Sequence, residues 1–313
     1  MPNVSMVIPV FRSQESIGLV VERLNEVLPR LFDQYEAILV DDGSPDASWQ
    51  AVQACAAKYP WVRGFQLMRN FGQHNALLCG IRQARYELLV TMDDDLQHPP
   101  EALSTLLEAL GEQYDVVYGS PVQERHGLLR DLASQVTKWV LQTAMGAETA
   151  RNISAYRLFR TQIRQAFMDY RAPYVNLDVL LTWGTKRFTR VTVPHAKRTI
   201  GQSNYTVGKL ITHTLNMLTG FSTLPLQIAS YLGLAMAAFG ALLLFYILVV
   251  RLLIFGDYEV PGFTFLASVV SIFAGAQMFT LGIIGEYLAR MHFRLMDKPS
   301  FVLRQTTDET PLV

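Results

Sequence analysis

Two rhythms of apolar and polar positions alternate along the first 120 or so residues. Short β-branched runs at Val4–Val10, Ala37–Val40, Val62–Met68, Leu88–Met92 and Asp115–Tyr118 read as buried strands. Between them apolar residues recur at helical spacing. Ile17, Val20, Val21, Leu24, Val27 and Leu28 mark a helix over Ser16–Leu31, and further helices are predicted over Ser48–Lys58, Asn75–Ala84 and Pro100–Leu110. This alternation predicts an α/β fold with a mostly parallel sheet covered by helices on both faces. Ligands of such sheets bind beyond the carboxyl ends of the strands.

The rhythm changes after about residue 205. No Asp, Glu, Lys or Arg occurs between Leu210 and Val250, nor between Val260 and Gly285. The apolar runs Ile228–Val250 and Gly262–Ile284 are each long enough, at ~1.5 Å per residue, to cross a ~30 Å hydrocarbon core. They are expected to form two transmembrane helices, at about 228–250 and 262–288, close enough in sequence to make a hairpin. Lys186, Arg187, Arg190, Lys197, Arg198 and Lys209 precede the first run, and Arg290, Arg294, Lys298 and Arg304 follow the second. The positive-inside rule then places both ends in the cytoplasm. Met1–Phe11 reads as a strand rather than a signal peptide. The expected organisation is a cytoplasmic catalytic domain over 1–205, an interfacial juxtamembrane helix over 206–227, the two spans within 228–290, and a cytoplasmic tail over 291–313. Residues 207–227 mix Ile211, Leu215, Met217, Leu218 and Phe221 with Lys209 and His213, which suits a lipid surface or a helix packed under the domain.

Composition narrows the function. The 313 residues hold 27 basic and 27 acidic side chains, which argues against a nucleic-acid partner. Half of the residues are apolar, so disorder is excluded. Cys55 and Cys79 match neither a metal spacing nor a disulfide framework, which favours a reducing compartment.

Acids follow two of the strands. Asp93-Asp94-Asp95-Leu96-Gln97 comes directly after the fourth. Three adjacent carboxylates repel one another unless a cation neutralises them, and hard oxygen ligands suit Mg²⁺ or Mn²⁺, which also hold substrate phosphates. In an extended chain Asp93 and Asp95 share one face and Asp94 takes the other, so Asp93, Asp95 and Gln97 form the expected metal edge. The competing reading is a solvated acidic turn before the helix at Pro100. Asp41-Asp42-Gly43-Ser44, after the second strand, reads either as a tight turn with a helix cap or as an acceptor for a nucleotide base or ribose. Arg69–Asn75 joins a strand to a helix, either to shape a site with His74 or as a loop capped by Asn75. Arg125 and Arg130 suit phosphate groups and equally an ordinary surface. Arg198–Tyr205 is a basic, Gly-containing loop at head-group height, or a solvated one.

Taken in order, these segments resemble a family. Val7-Ile8-Pro9-Val10-Phe11, Asp41-Asp42-Gly43-Ser44, Asn70-Phe71-Gly72-Gln73-His74, Asp93–Pro100, Tyr156-Arg157-Leu158-Phe159-Arg160 and Gly201-Gln202-Ser203-Asn204-Tyr205 are similar to motifs of the family 2 glycosyltransferases that act on polyprenyl phosphates. Bacterial undecaprenyl-phosphate transferases for aminoarabinose and O-antigen glucose are among them, and dolichol-phosphate mannose synthase is a more distant member. The resemblance spans nearly the whole chain, including Gly285-Glu286-Tyr287. It implies a GT-A-like domain, a nucleotide-sugar donor, a polyprenyl (undecaprenyl) phosphate acceptor, Mg²⁺ or Mn²⁺, the bacterial inner membrane, and a homo-oligomer, by resemblance a tetramer. By motif, Pro9, Phe11 and Asp42 would line the nucleoside pocket, with Asp93 and Asp94 on the nucleotide side and Asp95 and Gln97 at the metal. Arg125, Arg130 and Arg198 would handle the donor pyrophosphate and acceptor phosphate, with Ser203 nearby.

Two departures stand out. The family's Pro-x-Tyr-Asn-Glu reads Pro9-Val10-Phe11-Arg12-Ser13 here, and Asn152 stands about where an Asp proposed as catalytic is found. The second does not abolish the chemistry. A phosphate monoester, with a second pKa of ~6, is already an anionic nucleophile, so a general base, typically worth 10²–10⁴-fold, has little to do. Holding two anions together and stabilising the leaving diphosphate are what matter. The resemblance thus implies an active, inverting transferase, with Asp95 and Arg198 in catalysis and Asn152 positioning. Two other readings are a polysaccharide-elongating glycosyltransferase and an inactive, membrane-tethered nucleotide-sugar-binding protein. The elongating enzymes usually have more spans and a Gln-x-x-Arg-Trp motif absent here.

Overall fold

A computed structural model describes residues 1–121, 153–194, 224–245 and 263–308. The strands are β1 (Val4–Val10), β2 (Tyr35–Asp41), β3 (Val62–Leu67), β4 (Leu88–Thr91), β5 (Val116–Pro121), β6 (Arg157–Arg160), β7 (Phe188–Val193) and β8 (Leu303–Thr306). The α-helices are α1 (Ile17–Leu31), α2 (Ser48–Lys58), α3 (Gln73–Gln83), α4 (Leu103–Leu110), α5 (Leu177–Gly184), α6 (Leu224–Phe245) and α7 (Phe263–Leu295). Short 3₁₀ turns precede α4 and follow β6.

All eight strands form one sheet in the order β7-β5-β6-β4-β1-β2-β3-β8. β1 pairs in parallel with β2 and β4, β2 with β3, and β5 with β7. β6 and β8 run antiparallel to their neighbours. The result is a mixed, mostly parallel, GT-A-like α/β fold. Alternation along the strands divides the core into two. Val4, Met6, Ile8 and Val10 of β1, with Ala37 and Leu39 of β2 and Leu88 and Val90 of β4, pack with α1, α2 and α4. The intervening Val7, Ile38, Val40 and Leu89 pack with α3 and α5 on the other face. Burial on both faces explains the unbroken apolar runs. In α1, Ile17, Val20, Val21, Leu24 and Leu28 form the buried stripe.

The chain is divided into two compact units, and the first is discontinuous: it comprises Met1–Thr214 together with Met296–Val313. Leu303–Thr306, which the sequence pattern assigns only to a tail, adds β8 to the free edge of β3. Arg63 clamps the junction, donating to both oxygens of Asp308 and, through Nη1, to Glu36 at 2.9 Å. Ser300 accepts from Asn75 Nδ2 through its carbonyl and donates from its hydroxyl to Ala172 O at 2.9 Å. Because α3 begins at Gln73 with Gly72 at its cap, Asn75 lies inside the first turn and ties the tail down instead of capping the helix.

The second unit, Leu215–Leu295, contains α6 and α7. Among the described residues one helical stretch, Ile272–His292, is long and apolar enough to cross a membrane; Pro225–Gly240 is a shorter apolar helix. The expected interfacial helix lies largely outside the described residues.

Candidate active site

The order β3-β2-β1-β4 reverses direction at β1, so the carboxyl ends of β1 and β4 flank the switch point at which such sheets open a crevice. Phe11 follows β1 there, Asp41 and Asp42 end β2, and Asp93–Asp95 follow β4.

Hydrogen bonds join these ends into a ring. Asp42 accepts the backbone N–H of Phe71 on Oδ1 at 2.7 Å and that of Gly72 on Oδ2 at 2.8 Å. From the next residue, Gln73 Nε2 donates to Asp93 Oδ1 at 2.7 Å. On the other side, Arg12 N donates to Ser44 Oγ at 3.1 Å. Ser13 Oγ donates a short bond to Asp94 Oδ2, which also accepts Phe11 N at 3.3 Å. The acids of β2 and β4 are thus linked around the end of β1 by both flanking loops. Asp93 turns to α3 and Asp94 to the β1–α1 loop, the opposed directions expected of neighbours in an extended chain.

The local backbone is built for this. Gly43 has φ +63, and a Cβ there would lie 2.4 Å from the carbonyl carbon of Arg69, so only glycine lets the Asp41–Ser44 turn pass under the Arg69 loop. Arg12 and Leu96 also adopt left-handed φ, 58° and 59°. Side chains rarely occupy that region, and strain of this kind concentrates at functional loops. After Leu96 the chain turns back so that Gln97 N reaches Asp95 Oδ1 at 3.1 Å.

Electrostatics follow from burial. Asp42 is 3% exposed. Burial pushes its carboxyl up to about 6, against the two backbone N–H bonds that favour the charged form. Burial likewise raises Asp94 to about 6 despite the bonds from Ser13 and Phe11. Cations ride on the aromatic rings nearby. The Arg12 guanidinium sits 5.5 Å from the Phe11 ring centroid and that of Arg69 4.1 Å from Phe71.

Of the residues singled out in sequence, Phe11, Asp42, Asp93 and Asp94 belong to the ring, Asp95 and Gln97 adjoin it, and Pro9 is buried in β1 beside Val40. His74 is architectural: its Nδ1 accepts Leu177 N at 3.2 Å. Arg125, Arg130, Asn152, Arg198 and Ser203 lie outside the described residues. Sequence reasoning missed two ring members, Ser13 as partner of Asp94 and Gln73 as partner of Asp93. Both stand inside quoted motifs, but their roles depend on loops meeting across the sheet.

Among the described residues no three His, Cys, Asp or Glu side chains are grouped as a metal cage. Mg²⁺ and Mn²⁺ are commonly held by one or two carboxylates and completed by substrate phosphates. Asp93 and Asp95 supply oxygen ligands of the right kind.

Sheet order, switch point and acidic strand ends define the class: an α/β protein of GT-A-like architecture. Residues 5–167 match glycosyl transferase family 2. An undecaprenyl-phosphate 4-deoxy-4-formamido-L-arabinose transferase of Serratia proteamaculans (strain 568) is 33% identical over 311 residues, 99% of this chain and 95% of the relative. One of the same name from Yersinia pestis (strain Pestoides F) is 34% identical over 307 residues, 97% and 93% of the two chains. Glucosyl-3-phosphoglycerate synthase of Mycobacterium tuberculosis, solved with Mn²⁺ and UDP-glucose, superposes with a TM-score of 0.53 over 70% of this chain and 77% of that one, at 17% identity, a likeness of fold. The chain belongs to glycosyl transferase family 2, and it is a glycosyltransferase.

Proposed function

We propose that this enzyme transfers a glycosyl unit from a nucleotide sugar to a polyprenyl phosphate, undecaprenyl phosphate in a bacterial inner membrane, for modification of lipid A, O-antigen or another envelope glycan. The observation that supports this is the ring joining Asp42 to Asp93 and Asp94, which brings together at the carboxyl ends of β2 and β4 the acids that this reading assigns to the nucleotide and to the phosphates. The full-length likeness to undecaprenyl-phosphate transferases favours the lipid acceptor.

In this reading Asp42 fixes the Phe71–Gly72 backbone as one wall of the nucleoside pocket, and Phe11 offers a ring to the base. Asp93 and Asp95, with Gln97, would hold Mg²⁺ or Mn²⁺. When bound, that ion supplies charge neutralisation at the donor diphosphate. Arg125, Arg130 and Arg198, with Ser203, would bind the donor and acceptor phosphates, and Asn152 would orient the acceptor. The acceptor phosphate needs little proton removal, so orientation and charge stabilisation carry the rate.

The tail favours an even number of membrane crossings, in this reading two, by α6 and α7, and the basic flanks favour the cytoplasmic side for the catalytic unit. β3 and β8 are paired in one sheet although α6 and α7 lie between them in sequence. An odd number of crossings would leave the two strands on opposite sides of the bilayer. Cysteines placed within 251–261 and probed with an impermeant reagent test this; labelling there only after permeabilisation would refute the hairpin. A homo-oligomer, tetrameric by resemblance, is tested by light scattering in detergent.

The deciding experiment incubates purified protein with undecaprenyl phosphate, Mg²⁺ or Mn²⁺, and a donor panel that includes nucleotide-linked 4-deoxy-4-formamido-L-arabinose. A glycosyl phospholipid of the expected mass is the predicted product. Donor binding without lipid product from any donor would overturn the acceptor assignment, and growth of a polymer would favour the elongating reading.

A further inference from the structure

A second set of bonds reaches the end of β4, two residues before Asp93. Arg157, 3% exposed on β6, lies opposite Thr91, the last residue of β4. Its Nε donates to Asp178 Oδ1 at 2.7 Å and its Nη2 to Asp178 Oδ2 at 3.0 Å. Its Nη1 donates to Thr91 Oγ1 at 3.1 Å, and the Thr91 hydroxyl in turn donates to Ala155 O at 3.0 Å. Tyr118 Oη donates to the shared Asp178 Oδ1 at 3.1 Å.

Asp178 lies in the first turn of α5. That turn is also fixed from α3, because Leu177 N donates to His74. His74 follows Gln73, which donates to Asp93. The connections therefore close on themselves: Asp93 to Gln73, through α3 to His74, across to Leu177 and Asp178, on to Arg157, up to Thr91, and through Met92 back to Asp93. An apolar cluster would fill this space at lower desolvation cost than a buried ion pair. What the ion pair adds is a fixed direction for the end of β4 and a buried positive charge behind the acids.

We propose that Thr91, Arg157 and Asp178 are positioning residues for Asp93, with Asp178 orienting the guanidinium that fixes the end of β4. The unit would fix the direction of the Asp93 carboxylate, which in that reading would help to hold the divalent ion. This rests on the reading of Asp93 as a metal-site acid, and the test separates the two ideas. Two further observations agree with it. Burial disfavours the charged Arg157, yet Asp178 and, from farther away, Asp93 keep it protonated. Burial and the Asp178 charge likewise hold Tyr118 far above the ordinary phenol range, so it remains a donor.

The experiment titrates Mn²⁺ alone into full-length protein in detergent and counts free ion by electron paramagnetic resonance. Wild type, Thr91→Val, Thr91→Ser and Asp178→Asn are compared well below the thermal midpoint of each. Thr91→Val keeps the volume and loses the hydroxyl, whereas Thr91→Ser keeps the hydroxyl. Mn²⁺ affinity is expected to fall about 10-fold in Thr91→Val and at least as far in Asp178→Asn, the scale seen when partners of metal ligands are removed. Thr91→Ser should stay within about twofold of wild type. Affinity unchanged in a folded Thr91→Val overturns the positioning role and leaves the metal reading intact, and this variant decides even where Asp178→Asn fails to fold. No Mn²⁺ binding by wild type, either alone or with a nucleoside diphosphate present, overturns the metal reading and the positioning role with it.

Discussion

Asp42 holds Phe71 by its backbone: the carboxylate accepts the Phe71 N–H at 2.7 Å and, with its other oxygen, that of Gly72 at 2.8 Å. Two donors facing two acceptors leave no room for an amide. Asp42→Asn turns one acceptor into a donor that confronts a backbone N–H, and an unmet buried donor costs ~1–3 kcal/mol. The loop that carries Gln73 should loosen. The expected outcome is a donor KM raised about 10-fold or more, since 1.4 kcal/mol is a factor of ten, with acceptor KM little changed. Steady-state kinetics with each substrate varied in turn would check it.

The same carboxyl predicts a pH dependence. Its pKa in the folded chain is raised from 3.8 to about 6, chiefly by burial. The native state therefore binds the proton more tightly than the unfolded chain does. The stability this contributes is fully present below about 4 and is lost as pH rises through about 6. The span is worth about 3 kcal/mol at 1.36 kcal/mol per unit. Melting of wild type and Asp42→Asn from pH 3.5 to 7.5 should show the wild-type advantage shrinking across that window. A difference that stays constant with pH would contradict the assignment.

Ser13 stands where the resembling family carries Glu, and here it donates to Asp94. Ser13→Glu would set two carboxylates in contact, where like charges cannot both ionise cheaply. The single variant should lose about 10-fold in donor affinity, about one pKa unit's worth of energy. Adding Asp94→Ala should restore most of the loss, and binding of labelled donor by the two variants measures the coupling.

Gly43→Ala should be among the most damaging single changes. Its φ is +63 and the new Cβ would stand 2.4 Å from a backbone carbon. Backbone cannot rotate away as a side chain can. A loss of at least ~1–3 kcal/mol is expected from the dihedral alone, with donor binding abolished before the fold is lost, as thermal melts beside donor titrations would reveal.

The tail strand can be tested through Asp308. Its carboxylate is bound by Arg63 Nη2 at 2.6 Å and by Nε at 3.0 Å. Asp308→Ala leaves Glu36 as the remaining carboxylate on that guanidinium, and a cost of about 1–3 kcal/mol follows for the half-buried pair. Amide exchange in β8 should speed up while that in β1 stays slow.

Much of this architecture was legible in sequence for a definite reason. β1, β2 and β4 are buried on both faces, so their apolar runs and the acids that end them stand out without any knowledge of neighbours. α1 announces itself through one buried stripe. β6, β7 and β8 escaped. Phe188–Val193 and Leu303–Thr306 mix charged with apolar residues because they are only partly buried, and Arg157–Arg160 is bounded by two arginines. Their pairing is decided by partners far away in the chain. At the site, Asp93 and Asp42 were visible as local clusters. The bonds that orient them, from Gln73, Ser13 and the Phe71 backbone, join loops from different strands, and no spacing rule encodes such a meeting.

β8 imposes an order on biosynthesis. Arg63 and Asp308 are 245 positions apart, so at roughly 5–20 residues per second the nascent chain waits on the order of 10–50 s for its last strand. All that time the rim of β3 is bare, and α6 and α7 must leave the ribosome before the partner arrives. A polypeptide in which α6 or α7 stalls cannot deliver β8 to β3. Its open rim then offers chaperones and proteases a direct mark of failed assembly.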